Sequence, residues 1–278
     1  MKILVPVKRV CDPDNANKVK VTDDGSEVTS EGLEWKPNPF DEYAVEAALR
    51  LNENAAGKND KLGETIVLSM GSTDVQQTMR QTLAMGADRG ILIEAGDSEL
   101  DSTVVARALK AIVDEEKPDL VLLGKQTVDG DSNAAGQILA ELLGWPMATF
   151  AMTIATDDEG KTLTVGREVD TGVLTLKVQT PAVVTVDLRV VAPDGIKNGV
   201  TPADHTYNEG ARYASLKGIM QAKKKKIDQK KLGDLGIDTA LTTTYANFAL
   251  PEARTGSCVF VETVDDLLDK LKNDAKAL

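Results

Sequence analysis

Apolar positions in the first 145 residues alternate between two periods. Compact runs at Lys2-Ile-Leu-Val-Pro-Val7, Thr65-Ile-Val-Leu-Ser-Met70, Gly90-Ile-Leu-Ile-Glu94 and Asp119-Leu-Val-Leu-Leu-Gly124 are nearly continuous, the pattern of strands buried on both faces. Between them, residues 41–52, 74–85, 101–116 and 132–143 carry a helical period. In the first, Ala44, Ala47, Ala48 and Leu51 recur at i, i+3, i+4 and i+7, one apolar face of a helix. Strands separated by helices of this length imply right-handed crossovers. The expected fold class is α/β, doubly wound, with a mostly parallel sheet.

After Trp145-Pro146 the pattern changes. Residues 149–154, 162–169, 173–178 and 183–188 read as strands, with a turn at Asp157-Asp-Glu-Gly160, and predict antiparallel additions to the sheet. Residues 192–210, rich in Gly, Pro, Asn and Asp, read as a long surface loop. Little periodicity survives over 231–259. Thr263-Val-Asp-Asp266 then opens a short helix like a capping box, with Leu267, Leu268 and Leu271 as its stripe. The expected organisation is an α/β nucleotide-binding domain over 1–230 and a C-terminal arm over 231–278 that packs on a partner.

An apolar fraction of 42% and a charged fraction of 27% in 278 residues are ordinary for a globular chain. A net charge of −12 argues against nucleic acid as a partner. No apolar run reaches the roughly 18 residues of a spanning helix, so a membrane-embedded protein is not expected. The first residues are too short for a signal-peptide core; the expected location is cytoplasmic, or the mitochondrial matrix in a eukaryote. Cys11 and Cys258 are the only cysteines and His205 the only histidine. That set makes neither a disulfide framework nor a zinc spacing. Buried thiols are expected at both cysteines and a surface loop at His205, which leaves no acid–base or nucleophile constellation. One stretch reverses the charge: residues 212–231 hold eight basic residues against Asp228. It reads either as a solvated flank or as a docking segment for acidic partners.

In an open parallel sheet, ligands sit beyond the carboxyl ends of the strands, near the point where the strand order reverses. The loops expected there are 6–10, 69–72 and 124–133. The last is the most informative. A strand ends at Gly124, ten polar-loop residues follow, and a helix is expected to start near Ser132 with small residues in its first turn. Uncovered N–H groups at such a helix start can bind phosphate oxygens. The helix end adds roughly 0.3–1 kcal/mol, enough to favour an anion and too little to specify one. Asp129 and Asp131 oppose a phosphate, and read as helix caps or ribose acceptors. A nucleotide site and an ordinary capped helix both stay open on this ground. Neither a Walker loop nor a G-x-G-x-x-G is present.

A family resemblance rests on many stretches in one order. These are Val5-Pro-Val-Lys-Arg-Val10, Asn38-Pro-Phe-Asp-Glu-Tyr-Ala-Val-Glu46, Ala84-Met-Gly-Ala-Asp-Arg89 and Leu123-Gly-Lys-Gln-Thr-Val-Asp-Gly-Asp-Ser-Asn133. Arg167-Glu-Val-Asp170, Pro181-Ala-Val-Val-Thr-Val-Asp-Leu-Arg189 and the basic run from Arg212 to Lys226 continue it. Over nearly its whole length the chain resembles the β subunit of electron-transfer flavoproteins.

The resemblance implies an adenine-nucleotide α-hydrolase-like form of the doubly wound fold and a heterodimer with an α subunit that holds most of a redox FAD. It implies a structural AMP on this chain. By position, that site takes Pro6, Asn38, Pro39, Phe40, Asp41 and Met70, and the loop Gly124, Lys125, Gln126, Thr127, Val128, Asp129, Gly130, Asp131, Ser132, Asn133, Ala134 and Ala135. Gln137 is a neighbour one turn on. A recognition loop over about 186–226 is implied to dock acyl-CoA or other flavin dehydrogenases, with Leu216 as anchor beside Ile219, Met220, Lys223 and Lys224. Glu168 is implied to contact the flavin-bearing domain. Electrons would then pass to a membrane quinone oxidoreductase, so the expected role is an electron carrier and not an enzyme. The alternative is a bifurcating member of the family with a second FAD in place of AMP. Two departures stand out: residues 192–210 are longer than the family's turn, and Gln221 replaces one Lys of its basic set.

Overall fold

The computed structural model describes residues 1–29, 31–57, 61–157, 159–252 and 258–278; Asp158, in the expected turn, lies outside them. The chain opens with strands β1 (Lys2–Pro6), β2 (Arg9–Cys11), β3 (Lys20–Val21), β4 (Val28–Thr29) and β5 (Trp35–Pro37). Next come α1 (Pro39–Leu51), β6 (Glu64–Gly71), α2 (Val75–Met85), β7 (Arg89–Glu94), α3 (Ser102–Glu116), β8 (Leu120–Gly124) and α4 (Ala135–Leu143). Strands β9 (Met147–Thr156), β10 (Thr162–Val169), β11 (Gly172–Gln179), β12 (Ala182–Val186) and β13 (Ile196–Lys197) follow. The last elements are α5 (Leu216–Ala222), β14 (Ile227–Lys231) and α6 (Val264–Asn273).

Two compact units result. The first comprises Met1–Val19 and Ser30–Tyr245; the second comprises Lys20–Thr29 and Ala246–Leu278. In the second, the β3–β4 hairpin meets the tail where the Phe248 amide donates to the Gly25 carbonyl at 2.8 Å. Helix α6 is capped as expected, Thr263 Oγ1 accepting from the Asp266 amide. Its Val264, Leu267 and Leu268, with Phe260 ahead of them, are exposed. So is Cys258, which corrects the expectation of a buried thiol: it lies where the chain has no regular secondary structure and joins no core cluster. Cys11 is half-buried.

The large sheet of the first unit runs β11-β10-β9-β12-β8-β1-β6-β7-β14, with β13 beside β9. Every neighbouring pair from β9 to β14 is parallel; β10 alone runs against both its neighbours. Side chains alternate between two layers, as the pleat requires. Ile3, Val5, Leu120 and Leu122 pack under α1 and α2, and Leu4, Val121 and Leu123 under α3 and α4. Each fully buried Leu or Ile stabilises the fold by about 1.5–3 kcal/mol.

Three expectations need correction. Residues 183–188 do not extend the edge: β12 lies between β8 and β9, parallel to both. All five of its residues are buried, and a strand apolar on both faces is stable only inside a sheet. The strand also ends early, because Asp187 accepts from the Arg189 amide and turns the chain into a 3-10 helix over Leu188–Val191. Residues 192–210 are not simply a surface loop, since β13 pairs with β9 and Asn198 is buried. Part of the 231–245 segment is likewise held inside the first unit. Leu232 joins its core, and Asp101 takes the amides of Thr242 and Thr243. Burial alone would raise the Asp101 carboxyl, but its N–H and O–H donors hold it down at about 2.

The 192–210 segment is organised by Arg50, which is only 1% exposed. Its guanidinium donates to Glu46 Oε1 at 2.7 Å and to the carbonyls of Val191, Ala192, Asn208 and Gly210 at 2.9–3.1 Å. Tyr207 covers its face at 4.6 Å. Glu46 also pairs with Arg212, which reaches on to Glu53. Arg50→Leu should lower stability by about 3–5 kcal/mol, because it strands buried carbonyls and unbalances the charges. Arg50→Lys should recover part of that by keeping the charge. Urea denaturation of the three proteins checks both statements; a loss under about 1 kcal/mol for Arg50→Leu would contradict them.

Candidate nucleotide site

Strands β8, β1 and β6 are adjacent, and the chain reaches β8 only after passing outward through β6 and β7. The strand order therefore reverses between β1 and β8, where a crevice forms beyond the carboxyl ends. Pro6 ends β1, Met70 lies at the end of β6 and Gly124 ends β8. Asn38, Pro39, Phe40 and Asp41 form the first turn of α1, with Pro39 at a position that needs no N–H. The structure thus gathers the four separate segments expected to build one site.

Two buried side chains stitch those segments together. Asp41 accepts the Lys8 amide through Oδ2 at 2.8 Å and the Gly124 amide through Oδ1 at 3.0 Å. Asn38, fully buried, donates to the Gln126 carbonyl at 2.9 Å and accepts the Val128 amide at 3.1 Å. Gly124 is obligatory here, because a Cβ would collide with Asp41 Oδ1 and with the Phe40 backbone. Around the loop, Lys8 pairs with Asp129 at 2.7 Å, Gln126 donates to Asp131, and Thr127 donates to Asp129. Lys125 pairs with Asp187 at 2.6 Å. Lys8 falls in the expected 6–10 loop, whereas Asp187 was not expected as a site residue. Asp187 directly follows the carboxyl end of β12, which is the signal that would have found it.

The helix after the loop begins at Ala135 and not near Ser132. Asp131 and Asn133 have φ of 49° and 46°, left-handed values that a helix cannot include. Asp129 and Asp131 do not cap it: Ala134 holds the cap position with no side-chain bond. The first N–H groups of α4 therefore stay open toward the loop. Gln137 donates to Asn133 at 2.7 Å, while its buried Oε1 has no partner. Ser132 is exposed and meets Ser102 hydroxyl to hydroxyl at 3.3 Å. The open helix start fits a nucleotide phosphate, whereas the orphan Gln137 Oε1, an acceptor, fits a hydroxyl or amino donor of the same ligand. Among the described residues no acidic, histidine and cysteine group is placed to hold a metal.

The remaining expected residues lie elsewhere. Leu216, Ile219, Met220, Lys223 and Lys224 are all exposed around α5. Glu168, on β10, pairs with Arg189. His205 sits in an exposed loop, edge-on to Tyr207.

Burial pushes the Asp41 carboxyl up to about 7, against the hydrogen bonds from Lys8, Asn38 and Gly124. The folded state then holds a proton that the unfolded chain has lost. Its contribution to stability is full below about 4 and is lost as pH rises through about 7. Asp41→Asn, which cannot titrate, should sit below the wild type at about pH 4 and lower because one N–H donor loses its acceptor. The gap should narrow between about pH 4 and pH 7, at roughly 1.4 kcal/mol per pH step of one. Urea melts at several pH values read this, and a constant or widening gap would refute it.

A family model described as the electron transfer flavoprotein domain matches residues 27–235. The electron transfer flavoprotein subunit beta of Bradyrhizobium diazoefficiens is 44% identical over 278 residues, covering 100% of both chains. The human protein of the same description is 43% identical over 275 residues, 98% of this chain and 97% of its own length. A mitochondrial counterpart from Arabidopsis thaliana is 42% identical, covering 99% of each. With identity at that level from end to end, the chain belongs to the electron transfer flavoprotein β-subunit family.

Proposed function

We propose that this chain works in a heterodimer with an electron-transfer flavoprotein α subunit, and that it carries AMP in the crevice between β1 and β8. The observation that supports this most is the uncapped start of α4 facing a loop pinned by Asn38 and Asp41. The phosphate would lie against the amides of Asn133, Ala134 and Ala135. Adenine and ribose would take contacts from Pro6, Phe40, Met70 and the 124–132 loop. Gln137, through its orphan oxygen, would complete the wall.

AMP has a structural role in this reading: it fills the crevice and joins the carboxyl ends of β1, β6 and β8. The FAD, held mainly by the α subunit, supplies the redox chemistry. This chain's part is binding and orientation. Glu168 would meet the flavin-bearing domain, and α5 would present Leu216 to acyl-CoA or other flavin dehydrogenases, with Lys223 and Lys224 steering the encounter. A membrane quinone oxidoreductase would receive the electrons. The chain would be a carrier subunit and not an enzyme. Its place would be the cytoplasm, or the mitochondrial matrix in a eukaryote; no described helix is long and apolar enough to cross a membrane. The exposed apolar residues of the 246–278 unit would pack on the α subunit as an arm.

Purifying the heterodimer, denaturing it and quantifying the released nucleotides tests the reading directly. One FAD and one AMP per complex is expected. Two FAD and no AMP would replace it with a bifurcating carrier, and no nucleotide would overturn it. Leu216→Ala should slow electron transfer from a dehydrogenase about tenfold or more, as loss of a desolvated anchor does, with nucleotide content unchanged. Transfer at the wild-type rate would remove the docking role.

A further inference from the structure

A seven-residue helix has no stability of its own in water, yet α5 and the residues just ahead of it present strongly exposed apolar side chains. Tyr213, Leu216 and Met220 are 99%, 83% and 70% exposed, and Ala222 is the helix's one buried residue. Something other than its own packing must hold it. Gly218 lets the backbone of α5 lie directly on the end of α2, where a Cβ would collide with the Ala84 carbonyl. Two polar attachments fix the ends of the segment.

At the C-terminal end the attachment is reciprocal. Arg80 of α2 donates to the carbonyl of Ala222, the last residue of α5, and to that of Lys225 just beyond it. Lys225 in return donates to the carbonyl of Leu83, in the last turn of α2, and to that of Ala87 just past its end. Each helix thus satisfies the other's orphan carbonyls with a cation, where the helix dipole also favours it. Burial pulls the Lys225 ammonium down. It belongs to the basic run by sequence but is no free surface charge. At the N-terminal end, Arg212 makes a fork to Glu53 at 2.8–2.9 Å and reaches Glu46 at 2.7 Å. Its own amide donates to Glu46, three residues before Ser215 caps α5 through the Gly218 amide.

Resting on the docking role proposed above, we infer that α5 is displayed as a rigid knob by these two clamps, with Arg80 and Glu53 as positioning residues. Neither touches the partner; both set where Leu216 stands. A pre-ordered helix spares the partner the entropy of ordering it on binding. The face it fits is a shallow apolar pocket with an acidic rim, facing Leu216 and Met220 inside a ring of Lys217, Lys223 and Lys224.

The test uses the intact heterodimer, with electrons supplied by an acyl-CoA dehydrogenase and its acyl-CoA substrate. Arg80→Gln and the milder Glu53→Gln should each raise the KM for the dehydrogenase about tenfold, the effect of losing roughly one charge-assisted hydrogen bond. The limiting rate and the nucleotide content should stay at the wild-type level. Amide exchange over 216–222 should speed up in both. In a Leu216→Ala background neither should raise KM further, because the anchor they position is gone. An unchanged KM in both, with Leu216→Ala still raising it, would overturn the positioning role and leave docking intact. Full additivity with Leu216→Ala would overturn it equally. If Leu216→Ala itself left KM unchanged, the docking reading would fall first.

Discussion

Taking a carboxylate or guanidinium out of water costs several kcal/mol unless every lone pair and N–H finds a partner. Helix α1 carries three such groups, Asp41, Glu46 and Arg50, all buried. Its neighbours are arranged to satisfy them. Asp41 collects amides from the ends of β1 and β8. Glu46 and Arg50 collect Arg212 and four carbonyls of the segment leading to α5. One helix therefore fixes the floor of the crevice between β1 and β8 with its first turn and the base of the segment leading to α5 with its last turns.

That arrangement explains why small and polar residues on α1 matter as much as apolar ones. Ala44, Ala47 and Ala48 are fully buried, and their small size lets the helix lie close to the sheet. Close approach is what brings Asp41 within reach of Gly124, where even a methyl group would collide. The loop that follows gains its shape from this pinning and from the left-handed residues Asp131 and Asn133. Together they delay α4 and leave its first turn open.

Charge is divided by function across the chain. The overall balance is −12, yet cations concentrate around α5. Even there they have two roles: Lys225 holds backbone carbonyls, while Lys217, Lys223, Lys224 and Lys226 stay in solvent. Arg80, far away in sequence, belongs to the first group. Distinguishing the two needs the carbonyls that each ammonium or guanidinium reaches.

The fold class, the four parallel strands with their helices and the loops at the carboxyl ends of those strands were legible from the sequence. Each depends on local periodicity or on loop position relative to a strand, and both are written in consecutive residues. The placement of β12 between β8 and β9 was not legible, because an apolar run does not say which neighbours will bury it. The open start of α4 at Ala135 was equally hidden, since Asp131 and Asn133 could have capped a helix as readily as taken φ above zero. Tertiary structure alone decided that Arg50, one charge among several in its helix, would organise residues more than 140 positions away. A buried charge states only that it needs partners; the packing of distant segments decides which ones it gets.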